Sequence, residues 1–321
     1  MSQDRLLQMV MSVLITARYR VSERFSMRPR SFDLIASNGK ITLAIKVVSH
    51  IDSVSEEIAS DLDLVARYLR GSALIIGERA RDTELERGAV YLRYGIYAIS
   101  IATLYDYIVE SSPPLIYASP GGLYVTINGE ALRDLREKRN MSLGDLGHLL
   151  GVSRRTISKY ESGMGTTLEV AQKIEEIFDS GLVQSIDLMS LQEKTSEKEE
   201  YHDGDTPMGF LEQIGMKLHT LHRAPFQALI TFHDHTILTG YGTTERIVKR
   251  AHLIGNISQV TGTYAMCVLT DYYKQKKIGR TLVIGEERLH CLEDGSELID
   301  LINKSGSGAS EGDGSDALPV D

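Results

Sequence analysis

Two groups of residues in this sequence have types and spacings suited to chemistry on nucleic acids. Asp33 and Lys46 lie in neighbouring apolar segments that flank a turn, and carboxylates with a nearby lysine can act on a metal-bound phosphodiester. Arg154, Arg155 and Lys159 recur at helical spacing, and the fork of an arginine fits the O6 and N7 atoms of guanine. What each group can do depends on the elements that position it.

The first group depends on a predicted hairpin. Asn38-Gly39 lies between two apolar segments and predicts a two-residue turn with positive φ at both turn positions. In that register Asp33 lies opposite Ala44 and shares its face of the sheet with Lys46. The pattern therefore predicts a strand pair that presents Asp33 and Lys46 together.

The order Asp33, then Ala44-x-Lys46, resembles the restriction-endonuclease-like fold, whose nuclease members carry Asp…(Asp/Glu)-x-Lys. Holding Mg²⁺ for hydrolysis requires at least two carboxylates, and here the second acid is replaced by Ala44. We therefore expect no catalytic residue and no metal site, with Asp33 and Lys46 paired across the hairpin. A Mg²⁺-dependent nuclease is an alternative if a carboxylate from elsewhere fills the gap. The candidates for that carboxylate are Glu23, Glu56 and Glu57.

The second group lies in a stretch of four short amphipathic segments, 132–178, that predicts a helical bundle. Ser142 and Ser153 precede the second and third segments, where a side-chain oxygen can cap a helix. Gly151 suits the left-handed turn that ends the second segment. The apolar residues of the third segment point into the bundle, so its polar residues lie on the outer side.

The run S-R-R-T-I-S-K-Y-E-S-G, preceded by a small residue, a glycine and an apolar residue, resembles the lambda repressor/Cro family of helix-turn-helix domains. The resemblance extends from Leu132 to about Asp187 and implies that helix Ser153–Glu161 enters the DNA major groove. The implied base contacts are Arg154, Arg155 and Lys159. The implied phosphate contacts are Ser142, Thr156 and Ser158.

The positive charge of the chain is local. The 321 residues carry a formal charge of −9, which argues against a protein that coats nucleic acid with a generally basic surface. Segment 131–160 nevertheless has seven basic and three acidic residues, 7 − 3 = +4. No apolar run approaches the roughly 20 residues that cross a bilayer, and no secretory signal is evident. A cytoplasmic protein without membrane contact is expected.

No cofactor or metal is expected from the remaining motifs. Cys267 and Cys291 are the only two cysteines and form no C-x-x-C motif, so reduced thiols are expected. Seven of the nine histidines lie between residues 202 and 290, yet no four-ligand set with the spacing of a zinc site emerges. Phosphate-binding glycine loops and H-E-x-x-H are absent from the sequence.

Polar and turn-rich segments divide the chain into modules. The expected fold combines α/β modules with an all-α domain, a four- or five-helix Cro/C1-type bundle flanked by two related α/β modules that resemble a degenerate restriction-endonuclease-like fold. The second copy has Gln227, Leu238 and Gly240 at the motif positions. The expected boundaries are an α/β module at 1–118, the helix-turn-helix domain at 119–190, an acidic linker at 191–206, a second α/β module at 207–304 and a disordered tail at 305–321.

Over its full length the sequence resembles a family of archaeal HTH-type transcriptional regulators, in the order of its modules and in stretches such as SALIIGERA, GGLYVTINGE and RAPFQALI. The resemblance implies a non-enzymatic, sequence-specific regulator of double-stranded DNA whose effector is undefined. We expect a homodimer, because two recognition helices one DNA turn apart match a palindrome. The alternatives are the targeted nuclease and an interaction adaptor of antitoxin type.

Overall fold

The computed structural model describes residues 2–24, 30–190, 206–270 and 275–307, and local sequence signals account for most of its helices. The α-helices are α1 (Gln3–Thr16), α2 (Glu56–Tyr68), α3 (Ile101–Ile108), α4 (Gly129–Lys138), α5 (Leu143–Leu150), α6 (Arg154–Glu161), α7 (Leu168–Phe178), α8 (Pro207–Gln213), α9 (Thr244–Thr261), α10 (Glu286–Leu289) and α11 (Gly295–Ser307). Each of α1 to α8 begins after a Ser, Thr or Asn whose side chain accepts a hydrogen bond from a first-turn N–H. These caps satisfy donors that a helix leaves open.

The strands form both antiparallel and parallel pairs. They are β1 (Arg20–Val21), β2 (Leu34–Ser37), β3 (Thr42–His50), β4 (Ser72–Ala80), β5 (Thr83–Glu84), β6 (Ala89–Arg93), β7 (Ile96–Ile99), β8 (Ile116–Ser119), β9 (Gly122–Ile127), β10 (Val183–Gln184), β11 (Lys217–Thr220), β12 (Ala228–Phe232), β13 (His235–Gly242), β14 (Tyr264–Leu269), β15 (Gln275–Ile278) and β16 (Thr281–Gly285). A single 3₁₀ turn, Ile51–Ser53, follows β3 in the described chain.

Contacts divide the chain into two units that do not follow the order of the sequence. The first unit contains Met1–Ala17, Val48–Val54 and Leu74–Ser190. The second contains Arg18–Val47, Ser55–Ala73 and Leu191–Asp321. Parts of the N-terminal α/β sequence therefore contribute to both units.

In the first unit, strands β4, β7, β6, β8, β9 and β10 lie side by side in that order. The pairs β4–β7 and β6–β8 are parallel, and the other pairs are antiparallel. Helix α1 packs against α3. Strands β9 and β10 pair with each other immediately before α4 and after α7, so the helical bundle between them is joined to the sheet at both of its ends.

In the second unit, strands β11, β12, β13, β14, β16 and β15 form a sheet in that order. The pairs β13–β14 and β14–β16 are parallel, and the remaining pairs are antiparallel. Helices α8, α10 and α11 contribute apolar residues, among them Leu211, Leu289 and Leu298, to the core on this sheet. The N-terminal strands β1, β2 and β3, which form an antiparallel series, also lie mainly in this unit.

The two α/β sequences have the same series of pairings, and for this reason alone we call them the first and the second copy. The antiparallel series β1-β2-β3 corresponds to β11-β12-β13. The parallel pair β4–β7 with antiparallel β6 corresponds to β14–β16 with antiparallel β15. A helix follows the third strand in both copies, α2 in the first and α9 in the second.

Within the second unit the two copies contact each other reciprocally. Helix α2 meets the second copy, where the Tyr68 hydroxyl lies 3.0 Å from His219 Nδ1 and the two rings stack. Helix α9 meets the first copy, where Asn256 Oδ1 accepts a hydrogen bond from Glu23 N at 2.7 Å. Phe32 and Phe226, which precede β2 and β12, contact each other with ring centroids 6.1 Å apart.

The predicted register of the first hairpin is wrong. Ile35 pairs with Ala44 and Ser37 with Thr42, so residues 38–41 form a four-residue connection. Only Gly39 of the Asn-Gly pair has positive φ, +88°. The Asn38 side chain accepts hydrogen bonds from the N–H groups of residues 40 and 41 instead, a local turn that competes with the two-residue hairpin. The shift moves Ala44 away from Asp33 and brings Lys46 opposite it.

Two smaller expectations of the sequence analysis also change. The spacing of Phe210, Leu211, Ile214 and Leu218 predicts one helical stripe at the start of the second α/β module, but Leu218 lies in strand β11 because α8 ends at Gln213 and Gly215 has φ +88°. Helix α11 continues to Ser307, into the first residues of the predicted tail. The rest of that tail and the linker residues 191–205 lie outside the described residues.

Candidate DNA-binding site

Helices α4 to α7 pack around one apolar core. Leu132, Leu146, Ile157, Ala171 and Ile174, which come from all four helices, are fully buried. Strand β9 adds two buried residues to the same core, and an isolated bridge joins it to the segment after α6. Burial of one face of each short helix is what stabilises it, since helices of this length are marginal alone.

Helices α5 and α6 begin with the serine caps, and α5 ends with the glycine, that the sequence predicts. Ser142 and Asp145 form a reciprocal capping box at the start of α5, and hydrogen bonds from Ser142 lower the pKa of Asp145. Gly151 ends the helix at φ +70°, a conformation that costs glycine little. The Ser153 hydroxyl then accepts a hydrogen bond from Thr156 N at 3.1 Å and caps α6.

A second glycine brings α5 and the start of α6 together. A Cβ at Gly147 would lie 2.7 Å from the carbonyl oxygen of Val152, closer than a side chain tolerates. Any larger residue would push the turn away from α5. The angle between α5 and α6 therefore depends on this position.

The predicted contact residues on α6 lie on its outer side. Arg154 and Ser158 are four residues apart, as are Arg155 and Lys159, and all four side chains are exposed. Residues at this spacing are neighbours on one helix face. Ser142 is exposed at the start of α5, whereas Thr156 is half-buried and its hydroxyl lies 2.8 Å from that of Ser153. The long donors are thus presented together, and Thr156 is engaged in the cap.

A buried ion pair between α4 and α6 escaped the sequence analysis. Arg136 Nε donates to Glu161 Oε1 at 2.6 Å, and both side chains are at most 10% exposed. Arg136 also donates to the carbonyl of Met141 at 2.9 Å. The net charge of segment 131–160 includes Arg136, yet Glu161 neutralises it from just beyond that window. Their separation of 25 residues left no periodic signal.

The nuclease-like residues form a closed cluster. Asp33 is 1% exposed and accepts a hydrogen bond from Val47 N at 2.7 Å. Lys46 Nζ lies 3.3 Å from Asp33 Oδ2, and the Arg30 guanidinium contacts the other carboxylate oxygen. Lys46 also donates to the carbonyl of Arg30 at 2.9 Å. Ala44 is buried and offers no ligand, so the carboxylate is occupied by the protein's own cations.

The second copy repeats the geometry with neutral chemistry. Gln227 N donates to Thr239 O at 2.9 Å, as Asp33 N donates to Ile45 O at 2.8 Å. The Gln227 side chain accepts from Tyr241 N at 3.0 Å and donates to Tyr241 O at 2.7 Å. Gln227 therefore stands where Asp33 stands in the first copy. By the same register, Leu238 and Gly240 stand at the positions of Ala44 and Lys46.

Two segments of the chain match known domain families. Residues 132–184 match the helix-turn-helix family, and residues 3–114 match the family described as PD-(D/E)XK superfamily domain. No solved structure shows a significant match.

Full-length relatives occur in several archaea under the name "Putative HTH-type transcriptional regulatory protein". The relative from Methanoregula boonei is 64% identical over 98% of this chain and 100% of its own length. The relative from Methanocella arvoryzae is 41% identical over 94% and 96%, and that from Archaeoglobus fulgidus is 36% identical over 93% and 97%. The chain belongs to this family of archaeal HTH-type transcriptional regulatory proteins.

The described residues of this family member offer little support for a reactive thiol or a metal site. Cys267 is buried, and burial raises the pKa of its thiol to about 12, so it is protonated at neutral pH. In that part of the chain no three His, Cys, Asp or Glu side chains are grouped closely enough to hold a metal ion. Nor does any helix there have the length and apolar character that crossing a membrane requires.

Proposed function

We propose that the chain binds double-stranded DNA as a sequence-specific transcriptional regulator and inserts helix Ser153–Glu161 into the major groove. The observation that carries this proposal is the division of α6 into two faces. Ile157 and Tyr160 are buried in the bundle, while Arg154, Arg155 and their neighbours on the other face are exposed. A helix held by one side and bearing long donors on the other suits groove recognition.

The proposed contacts follow from donor chemistry. Arginine and lysine reach base edges, and hydroxyl groups at helix starts suit phosphate oxygens. Bases are contacted by Arg154, Arg155 and Lys159. Phosphates are contacted by Ser142, Thr156 and Ser158, with the Thr156 hydroxyl exchanging its bond to Ser153 for one to the backbone of DNA.

Selection of bound fragments from random DNA tests the proposal. On the selected site, Arg154→Ala or Arg155→Ala should each weaken binding by about 1–3 kcal/mol and relax the base preference at one position. Fluorescence anisotropy at one fixed salt concentration measures the affinity, because phosphate contacts make it salt-dependent. Lys173→Ala, an exposed charge on α7, is the control. Equal binding of wild type and the double variant to every DNA would contradict the proposal.

The proposed regulator is not an enzyme. Asp33 is already bound by Arg30, Lys46 and Val47 N. Mg²⁺-dependent hydrolysis needs carboxylates that are free to bind the metal ion. Supercoiled plasmid incubated with the protein and Mg²⁺ should stay intact. Nicking that disappears in an Asp33→Asn variant would establish the nuclease instead.

The two α/β sequences are proposed to be copies of one degenerate restriction-endonuclease-like module. Their common pairing series and the equivalent positions of Asp33 and Gln227 support this. The functional division of the chain then follows the boundaries 1–118, 119–190 and 207–304, with a linker and a tail. The first of these modules contributes segments to both of the units into which contacts divide the chain.

A homodimer acting in the cytoplasm is the proposed working form. Each chain has one match to the helix-turn-helix family, so a palindromic site requires two chains. Half-sites in the selected DNA should be spaced by one helical turn, about 34–36 Å, or a multiple of it. Sedimentation of the free and DNA-bound protein measures the number of chains, and a single chain on a single half-site would contradict the dimer.

A further inference from the structure

The first turn of α5 contains a glycine that its own backbone does not require. Gly144 has no positive φ, and the atoms nearest to a Cβ built on it are all side-chain atoms. Arg154 Cδ would lie 3.2 Å away, Ser142 Oγ 3.5 Å and Arg154 Cγ 3.6 Å. The space that this glycine leaves is therefore occupied by the aliphatic stem of Arg154.

The neighbouring glycine of α5 shows the difference. Gly147 faces backbone atoms, with Val152 O at 2.7 Å and Arg154 N at 3.5 Å from its Cβ position, so it sets the distance between α5 and α6. Gly144, one turn earlier, faces side-chain atoms alone, two from Arg154 of α6 and one from Ser142. Alanine is the better helix former, so glycine at this position is not explained by helix stability.

We propose that Gly144 is a positioning residue that determines base specificity through Arg154. The open first turn lets the stem of Arg154 lie across α5, which limits the rotamers available to its guanidinium. An arginine ordered before binding loses less side-chain entropy when it meets a base, and its planar fork then discriminates by direction. This inference rests on the proposed function, because it assigns a determinant to the same interface.

Gly144→Ala tests the inference together with Arg154→Ala and the double variant. The alanine should displace the Arg154 stem by a few tenths of an ångström and weaken binding to the selected site by roughly two- to tenfold, the range of one side chain's ordering cost. Base preference should relax at the position that Arg154→Ala also relaxes. Gly181→Ala, whose added Cβ meets nothing within 4 Å, is the matched control and should bind as wild type does.

Two readouts separate positioning from a general structural effect. The melting temperature of Gly144→Ala should equal or exceed that of wild type, because alanine favours the helix. In the Arg154→Ala background the glycine substitution should have no further effect on affinity.

Three outcomes would overturn the inference. One is an unchanged selected sequence and affinity in Gly144→Ala. Another is an equal loss with and without Arg154, which would mean that the glycine admits a DNA phosphate directly. The third is that Arg154→Ala leaves the base preference unchanged while Arg155→Ala and Lys159→Ala alter it. That result would contradict the role of Gly144 but not the proposed function. If Arg154→Ala, Arg155→Ala and Lys159→Ala all left affinity and base preference unchanged, the proposed function itself would be wrong.

Discussion

The hairpins that begin the two α/β copies hold the same backbone group with different chemistry. In the first, the Asp33 carboxylate accepts from Val47 N at 2.7 Å; in the second, the Gln227 amide accepts from Tyr241 N at 3.0 Å. The carboxylate is also paired with Lys46. The amide needs no cation, because it brings both a donor and an acceptor.

The difference indicates which part of the motif is structural. The bond from this side chain to the third strand is common to both copies, and the charges are confined to one. In the first copy the charges of Asp33 and Lys46 compensate each other, because the two groups are paired. This pairing matters because both residues are less than 10% exposed. A motif that resembles a catalytic one by residue type can therefore persist as a buried ion pair.

The largest effect is expected at the charged copy. Asp33→Ala should lower the free energy of unfolding by about 3–5 kcal/mol, because it leaves Lys46 and Arg30 without their buried counter-ion. Urea denaturation measures the change. In a second step, Lys46→Met in the Asp33→Ala background should restore part of the loss. A double variant less stable than the single one would show that charge compensation is not the cause.

A smaller effect is expected at the neutral copy. Gln227→Ala removes the hydrogen bonds to Tyr241 and should lower the free energy of unfolding by about 1–2 kcal/mol, since only neutral groups lose partners. Gln213→Ala, an exposed residue at the end of α8, is the control in the same urea experiment. A loss as large as that of Asp33→Ala would erase the distinction between the copies.

The smallest effect is expected at an acid that joins the copies. Asp61 of α2 is buried and accepts a hydrogen bond from Arg223 N at 2.8 Å, and burial raises its pKa above the usual 3.8. Because the folded pKa is the higher one, ionisation of Asp61 destabilises the fold as the pH rises above 3.8. Asp61→Asn keeps a hydrogen-bond acceptor and cannot ionise. Its free energy of unfolding should therefore exceed that of the wild type by an amount that increases from acid to neutral pH. Denaturation midpoints across that range measure the gap, and a gap that narrows with rising pH would contradict the assignment.

The helix-turn-helix was predictable from the sequence because its signals are local. Ser142 and Ser153 cap the helices that follow them, and Gly151 has the left-handed conformation expected of it. The hairpin was less predictable. Asn38-Gly39 is compatible with two turn geometries, and the side chain of Asn38 stabilises the longer one.

By itself the sequence determined the caps, the turn and the exposed face of α6, because each of these depends on residues a few positions apart. Only the tertiary structure decided that Arg136 meets Glu161, that Arg30 and Lys46 enclose Asp33, and that Phe32 contacts Phe226. Those contacts join residues whose burial is set by packing, and packing leaves no period in the chain.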